Sequence, residues 1–397
     1  MPDVRPFHRA SHPDAGPASR AIELCRALVA VRDETACRGF ALDAVSACRT
    51  LAGADLDAFF DRLLTDFAHD PASRSVVVPR RELFHRLNDA PGGTALLVEL
   101  RGQVLRRLPE APALAAVEAD LVYLLRAWFH RGFLEMRRVT WRTSAAVLER
   151  LMQYEAVHRM QGWDDMRRRL QADRRCYGFF HPTMPDEPLI FIEGALTRGM
   201  SARVAPLVDP DAPVLDPAAC DTAVFFSISS CQEGLRGIPF GNLLIREVVD
   251  DVRRTLPHIQ TFATLSPIPG FRRWLDRTEV PSELRDRLAG SDWTSDDRAR
   301  RDLTALCAYY LRYVKQGQEP ADPVARFHLA NGARLERVNW LADPSPVGLQ
   351  RSAGLMANYL YRLPDLDRNH DAYAAAGEVI ASRRVEWLAQ DARARYY

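Results

Sequence analysis

The sequence contains a single lysine, Lys315, among 397 residues. A P-loop nucleotide site requires a lysine beside a glycine-rich loop, and no such pairing occurs, so that class of nucleotidase is excluded. A Schiff-base enzyme would depend on Lys315 alone. Its polar neighbours, Lys-Gln-Gly-Gln, offer no burial that would lower the pKa of the amine. The scarcity of lysine therefore argues against two large classes of enzyme.

The cysteines show no spacing that is typical of a disulfide framework or a metal site. The seven cysteines are scattered, odd in number, and never form Cys-x-x-Cys. This pattern disfavours a disulfide framework and a zinc site, so we expect no metal and a reducing, cytoplasmic location. No apolar run approaches the roughly 20 residues that cross a bilayer, and the net charge of +1 gives no reason to expect nucleic acid. We therefore predict neither a membrane nor a nucleic-acid partner.

Hydrophobic periodicity divides the chain into a helical half and a mixed half. Residues 1–18 contain four prolines and are expected to form a disordered arm. Apolar residues at spacings of three and four then predict helices to about residue 130. Helices and short β-type runs alternate further on, with predicted strands at 176–180, 188–192, 222–229 and 258–265. We predict an α+β protein with an all-helical domain over residues 1–140 and a domain of mixed helices and strands over residues 141–397.

A glycine-bearing turn follows the apolar run Val224-Phe225-Phe226-Ser227-Ile228, which is typical of a central strand. A helix is predicted to begin near Pro239, a residue type favoured in the first helical turn. Free N–H groups at such a helix start can bind a phosphate, although an ordinary strand–turn–helix connection has the same pattern. The Gly-x-Gly-x-x-Gly signature is absent, which disfavours a Rossmann dinucleotide site.

Ser266 and His328 are the candidate acid–base residues. Ser266 follows the predicted strand 258–265 and is held beside Pro267 and Pro269, which stiffen the backbone. A serine at the carboxyl end of a strand lies where open sheets bind ligands, but a capping serine in a turn fits equally. His328 lies between Phe327 and Leu329 and is suited to proton transfer near neutral pH, or to a packed core.

These segments closely resemble the malonyl-CoA decarboxylase family, and the similarity extends in order over about half of the chain. Several long matching segments in order are far more specific than any single motif. The matching segments are residues 154–158, 174–177, 227–242, 265–271, 326–332, 338–340 and 355–361. The resemblance implies a helical N-terminal domain followed by a catalytic domain with the acetyltransferase (GNAT) fold.

The resemblance also implies roles for particular residues. In the acetyltransferase fold, the turn after the fourth strand holds the phosphates of coenzyme A. The corresponding residues here are Arg236, Gly237, Ile238, Pro239, Phe240, Gly241 and Asn242. Arg236 and Gly241 fit the ends of the general acetyltransferase pattern, whereas Pro239 stands where that pattern has glycine. The family's catalytic serine and histidine correspond to Ser266 and His328, and a tyrosine near its site corresponds to Tyr361. Within residues 354–361, ordinary aromatic packing is the alternative.

The implied reaction converts malonyl-CoA to acetyl-CoA and CO2. Because the thioester carbonyl can accept the electron pair released by the departing carboxylate, we expect no cofactor other than the coenzyme A carried by the substrate. The resemblance further implies a homo-oligomer. Two alternatives use the same predicted fold: an acetyltransferase that transfers an acetyl group to an amine, and a non-catalytic sensor of acyl-CoA.

Overall fold

The computed structural model describes residues 16–68, 79–238, 244–290 and 292–397. Within these limits, the chain forms two compact units. Unit 1 consists of residues 16–68, 79–134, 181–187 and 232–238, and unit 2 contains the remaining described residues. The predicted division between residues 140 and 141 stays a prediction, to be tested by whether residues 141–397 fold alone.

Unit 1 is built mainly from amphipathic helices, as predicted. Its helices are α1 (Pro17–Ala30), α2 (Glu34–Arg49), α3 (Gly53–Asp66), α4 (Pro79–Asn88), α5 (Gly93–Arg107) and α6 (Ala115–Trp128). Leu28, Phe59 and Leu83 are fully buried, since spacings of three and four place apolar side chains on one helical face. The predicted disordered arm lies outside the described residues as far as residue 15. Helix α1 already begins at Pro17, whose fixed φ suits a first helical turn.

Unit 2 contains eleven described helices and ten strands. The helices are α7 (Ala145–Tyr154), α8 (Trp163–Arg169), α9 (Ala205–Val208), α10 (Leu244–Thr255), α11 (Phe271–Leu275), α12 (Ser282–Ala289), α13 (Asp297–Tyr313), α14 (Pro323–Ala330), α15 (Pro346–Ser352), α16 (Leu366–Ala376) and α17 (Arg383–Tyr396). The strands are β1 (Glu135–Val139), β2 (Arg174–Phe180), β3 (Ile190–Thr197), β4 (Thr222–Ser230), β5 (Thr261–Thr264), β6 (Ser266–Pro267), β7 (Lys315–Gln316), β8 (Glu319–Pro320), β9 (Arg334–Asn339) and β10 (Met356–Leu360).

Eight of these strands form one mixed sheet. Its order is β1-β2-β3-β4-β5-β10-β6, with β9 paired to β10, while β7 and β8 form a separate two-stranded sheet. Strands β4 and β5 are parallel, and the other pairs are antiparallel. Helices before and among the strands confirm the predicted α+β class. Strand β4 lies between β3 and β5, as predicted for a central strand.

The boundaries of two predicted strands differ by more than two residues from those observed. The run predicted over 188–192 extends as β3 to Thr197. The strand predicted over 258–265 ends at Thr264, and the chain then changes neighbours: Ala263 in β5 pairs with the end of β10, whereas Ser266 in β6 pairs with Ala357. A proline cannot donate a ladder hydrogen bond, so Pro267 limits how far β6 can extend. Among the residues that the structure describes, no helix combines the length and apolar character that crossing a bilayer requires.

Candidate active site

The candidate site lies where β4 and β5 diverge. The two strands pair in parallel from Thr222 and Thr261 to Phe225 and Thr264. The Leu265 N–H then donates to the Phe225 carbonyl at 2.8 Å. Beyond this point β4 continues beside β3, while the chain after β5 turns into β6 beside β10. Diverging neighbours at the carboxyl ends of parallel strands open a crevice, the usual place for a ligand in such sheets.

A cavity of about 290 Å³ occupies this fork. Three polar side chains, Ser230, Ser266 and His328, contribute to its lining. The lining is otherwise apolar: Val157, Ile190, Phe225, Phe226, Ile228, Pro267, Pro323, Val324 and Phe327. The β4 register shifts opposite Glu193 and Gly194, which leaves Phe226 as the extra residue of a β-bulge. Bulges redirect side chains locally, and Phe226 lines the cavity.

The three catalytic residues predicted from the resemblance form one hydrogen-bonded chain. The Ser266 Oγ lies 2.9 Å from the His328 Nε2 and also donates to the Thr264 Oγ1 at 2.9 Å. The other imidazole nitrogen, Nδ1, lies 2.8 Å from the Tyr361 hydroxyl. These residues come from β6, α14 and the segment after β10. The fold therefore brings together side chains that are far apart in the sequence.

Asp322 holds the serine loop and the histidine helix together. It caps α14, because its Oδ1 accepts the N–H groups of Val324 and Ala325, both at 3.0 Å. Its Oδ2 accepts the N–H of Gly270, which closes the loop after Ser266, at 3.2 Å. One buried carboxylate thus fixes both backbone segments that carry the Ser266–His328 pair. An Asp-Pro pair before a helix is a capping signature, and that signal could have identified Asp322 from sequence.

Burial keeps the imidazole neutral. His328 is only 2% exposed, and burial lowers its pKa from the ordinary 6.5 to about 3. The Tyr359 ring stacks on it with a centroid distance of 4.5 Å. Burial also raises the pKa of the Tyr361 hydroxyl well above its usual range. A neutral imidazole carries one proton, so one ring nitrogen donates while the other accepts.

The predicted phosphate-binding residues are described only in part. Pro239, Phe240, Gly241 and Asn242 lie outside the described residues, as does the predicted start of the helix that follows. Arg236 is exposed, and Gly237 has φ +77°, a conformation that favours glycine. The Arg101 Nη1 donates to the carbonyls of Gly234 at 2.6 Å and Arg236 at 2.9 Å. This turn is therefore held by its backbone while the Arg236 side chain faces solvent. Its phosphate-binding role stays a prediction.

Asn358 and Thr264 are further site residues, to which the sequence analysis assigned no role. The Asn358 Nδ2 donates to the Thr264 carbonyl at 2.7 Å, and the Tyr359 N–H donates to the Thr264 Oγ1 at 3.3 Å. Thr264 is fully buried. These contacts fix the hydroxyl that accepts from Ser266. They depend on the pairing of β10 with its neighbours, which no local pattern reveals.

Comparisons with known proteins all identify the same family. The family model of the malonyl-CoA decarboxylase C-terminal domain matches residues 132–396, and that of the N-terminal domain matches residues 61–129. The mitochondrial malonyl-CoA decarboxylase of Anser anser anser is 37% identical over 352 residues, which cover 79% of this chain and 70% of that protein. The Rattus norvegicus counterpart is 35% identical over 351 residues, covering 79% of this chain and 71% of that protein.

Solved structures show the same similarity in three dimensions. The crystal structure of malonyl-CoA decarboxylase from Rhodopseudomonas palustris has a TM-score of 0.87 and 42% identity, covering 93% of this chain and 99% of that one. The enzyme from Agrobacterium vitis has a TM-score of 0.85 and 39% identity, again covering 93% of this chain and 99% of the other.

Proposed function

Because this chain belongs to the malonyl-CoA decarboxylase family, we propose that Ser266 and His328 carry out its reaction at the cavity between β4 and β6. The substrate is malonyl-CoA, and the products are acetyl-CoA and CO2. The observation that supports these roles is the 2.9 Å contact between the Ser266 Oγ and the His328 Nε2 beside an apolar cavity.

The substrate supplies its own electron sink. When the bond between the α-carbon and the carboxylate breaks, its electron pair moves into the thioester carbonyl and forms an enolate. A proton added to the α-carbon then gives the acetyl group. We therefore propose that the reaction uses no cofactor. The protein has to orient the carboxylate out of the thioester plane, stabilise the enolate oxygen and deliver the proton.

The apolar lining favours loss of the carboxylate. Side chains such as Phe225, Ile228 and Phe327 solvate an anion poorly. The departing CO2 is neutral, and the negative charge spreads over the enolate. The apolar cavity therefore destabilises the localised charge of the carboxylate more than the dispersed charge of the enolate. This difference favours the loss of CO2.

We assign His328 as the proton donor to the nascent acetyl carbon. If the Tyr361 hydroxyl donates to Nδ1, the imidazole hydrogen resides on Nε2, toward Ser266. Ser266 then orients the malonyl carboxylate or relays the proton. An enolate is a strong base, so a neutral imidazole suffices as the acid. Tyr361 selects the productive tautomer.

The backbone of β4 offers donors for the thioester. Among the described strands, residues 226–230 pair only with β3, so their other edge adjoins the fork. Alternate residues of a strand present N–H groups to that edge. We propose that these groups bind the enolate oxygen and the amides of the pantetheine arm.

The turn containing Arg236 is proposed to bind the phosphates of coenzyme A, through N–H groups and the guanidinium. Replacing Arg236 by alanine should raise the KM for malonyl-CoA but leave the KM for malonyl-pantetheine, which lacks the nucleotide, unchanged. An equal effect on both substrates would contradict phosphate binding. A homo-oligomer and a cytoplasmic location are also proposed, and sedimentation and cell fractionation test them.

The test of the proposed function uses purified protein, malonyl-CoA and a chelator without added cofactor. We expect acetyl-CoA, followed by mass spectrometry, together with CO2, and no dependence on an amine acceptor. His328→Ala should lose roughly 10²–10⁴ in rate if His328 is the general acid, while still binding malonyl-CoA. Activity that requires an amine would indicate an acetyltransferase, and intact malonyl-CoA after binding would indicate a sensor.

A further inference from the structure

Proton balance sets a requirement that the Ser266–His328 pair cannot meet alone. Each turnover breaks a carbon–carbon bond and places one solvent-derived proton on the α-carbon. Once His328 has given that proton, directly or through Ser266, it must be reprotonated before the next turnover. The pair is buried, with Ser266 5% and His328 2% exposed, and bound substrate occupies the cavity beside it. While the cavity is occupied, an imidazole that gives up its Nε2 proton stays neutral only if Nδ1 gains a proton from the other end of the hydrogen-bonded chain.

The two ends of the hydrogen-bonded chain have different surroundings. At one end Thr264 is fully buried, and its hydroxyl oxygen accepts the N–H of Tyr359. At the other end Tyr361 borders a second cavity of about 360 Å³, separate from the first in its lining residues. This second cavity is lined by Arg246, Ala330, Asn331, Leu366, Asp367 and His370 in addition to Tyr361.

We propose that this second cavity is the proton inlet of the decarboxylase. Water in the cavity supplies a proton to the Tyr361 hydroxyl as that hydroxyl passes its own proton to the Nδ1 of His328. The imidazole releases its Nε2 proton toward Ser266 and the enolate carbon in the same relay. Each group ends neutral, but the imidazole hydrogen now lies on Nδ1 and the cavity water has become hydroxide. Once the products have left the first cavity, water there protonates Nε2 through Ser266, the Nδ1 proton returns through Tyr361 to the hydroxide, and the Nε2 tautomer is restored. The proposal rests on the proposed function, since it resupplies the same pair.

The charges around the inlet suit this role. The Arg246 Nη1 pairs with the Asp367 Oδ1 at 3.1 Å, so these two charges partly offset each other. The His370 Nδ1 lies 2.7 Å from the Ala330 carbonyl, which holds the ring at the wall and fixes its tautomer. The second cavity thus combines space for water with a lining tyrosine, Tyr361, whose hydroxyl lies 2.8 Å from the Nδ1 of His328.

Two variants test the inlet. Ala330→Leu fills the cavity without removing a polar group. Ala374→Leu makes the same change at an exposed position of α16 that does not line it, and serves as the control. We expect Ala330→Leu to lower kcat by roughly tenfold, less than the loss of a positioned donor would cause. Its KM should stay unchanged and its solvent deuterium isotope effect should rise, while Ala374→Leu behaves as wild type. Unchanged kcat and isotope effect in folded Ala330→Leu would overturn the inlet.

Chemical rescue provides an independent test if Ala330→Leu misfolds. Tyr361→Ala vacates space beside His328 that a small phenol can occupy, whereas Tyr361→Phe keeps the ring and excludes it. We expect added phenols to restore activity to Tyr361→Ala only, with rates that depend on the pKa of the phenol. Rescue that is absent, or independent of phenol pKa, would contradict the relay. Full activity in His328→Ala would instead refute the proposed function itself, so the two failures can be distinguished.

Discussion

The protonation of His328 gives a prediction whose size follows from the structure. Burial holds its pKa near 3 in the folded chain, against the ordinary 6.5. Between these values the unfolded chain binds the extra proton and the folded chain does not, so stability falls as pH drops. Each pH unit in this interval costs about 1.4 kcal/mol. His328 should therefore remove about 2 kcal/mol of stability between pH 6.5 and about pH 5.

The measurement compares wild type with His328→Gln, which cannot ionise. Urea unfolding at about pH 7.5 and about pH 5 should show that the variant loses about 2 kcal/mol less stability than wild type on acidification. His85→Gln, at an exposed histidine of α4, controls for the loss of one imidazole. In NMR titration, the imidazole signal that disappears in His328→Gln should not shift above about pH 5 in the wild type. A signal that titrates near 6.5, or identical acid sensitivity in both proteins, would refute the buried neutral imidazole.

Two further predictions concern the support of the site. Asp322→Ala removes the acceptor of three backbone N–H groups. It should cost about 2–4 kcal/mol of stability, because one helix cap is lost and one buried donor is left unpaired. We also expect kcat to fall by a larger factor than KM changes. Asp322→Asn keeps one acceptor and should be milder; equal stability of all three proteins in thermal unfolding would contradict this role. Gly270→Ala would place a Cβ 2.1 Å from the Tyr310 hydroxyl and should cost about 1–3 kcal/mol by overpacking. Tyr310→Phe should restore much of that loss, and a destabilisation that persists in the double variant would point to another cause.

Sequence periodicity predicted the elements whose apolar residues recur regularly. It did not predict the elements whose structure depends on pairing or packing with distant segments. The buried residues of helix α13, among them Leu303, Leu306, Tyr310 and Leu311, recur at spacings of three and four, a pattern that predicts a helix from sequence alone. Strand β1 was missed because its five residues include a glutamate and two arginines, and its pairing with β2 gives it strand structure. The C-terminal helix α17 was also not predicted. Its buried residues Val385, Ala389 and Ala392 recur at helical spacing, but two of them are alanines in an arginine-rich sequence, so the apolar signal is weak. Its burial depends on packing against α13.

The candidate site likewise combines residues that the sequence could predict with contacts that only the folded chain creates. The resemblance to a family identified Ser266, His328 and Tyr361, but their hydrogen bonds follow from how β6, α14 and β10 meet. The local sequence left His328 open as a core residue, and burial alone would agree with that. Its two polar contacts distinguish it, and those contacts require the coordinates. The fork between β4 and β5 was likewise not foreseen, because a single strand was expected through residue 265.

The most direct test of the central claim is to incubate the protein with malonyl-CoA in D2O and measure acetyl-CoA by mass over time. The account predicts that the wild type forms acetyl-CoA bearing one deuterium on its methyl group. Ser266→Ala and His328→Ala should bind malonyl-CoA yet form acetyl-CoA far more slowly. Formation of the deuterated product at the wild-type rate by a folded His328→Ala protein would contradict the account.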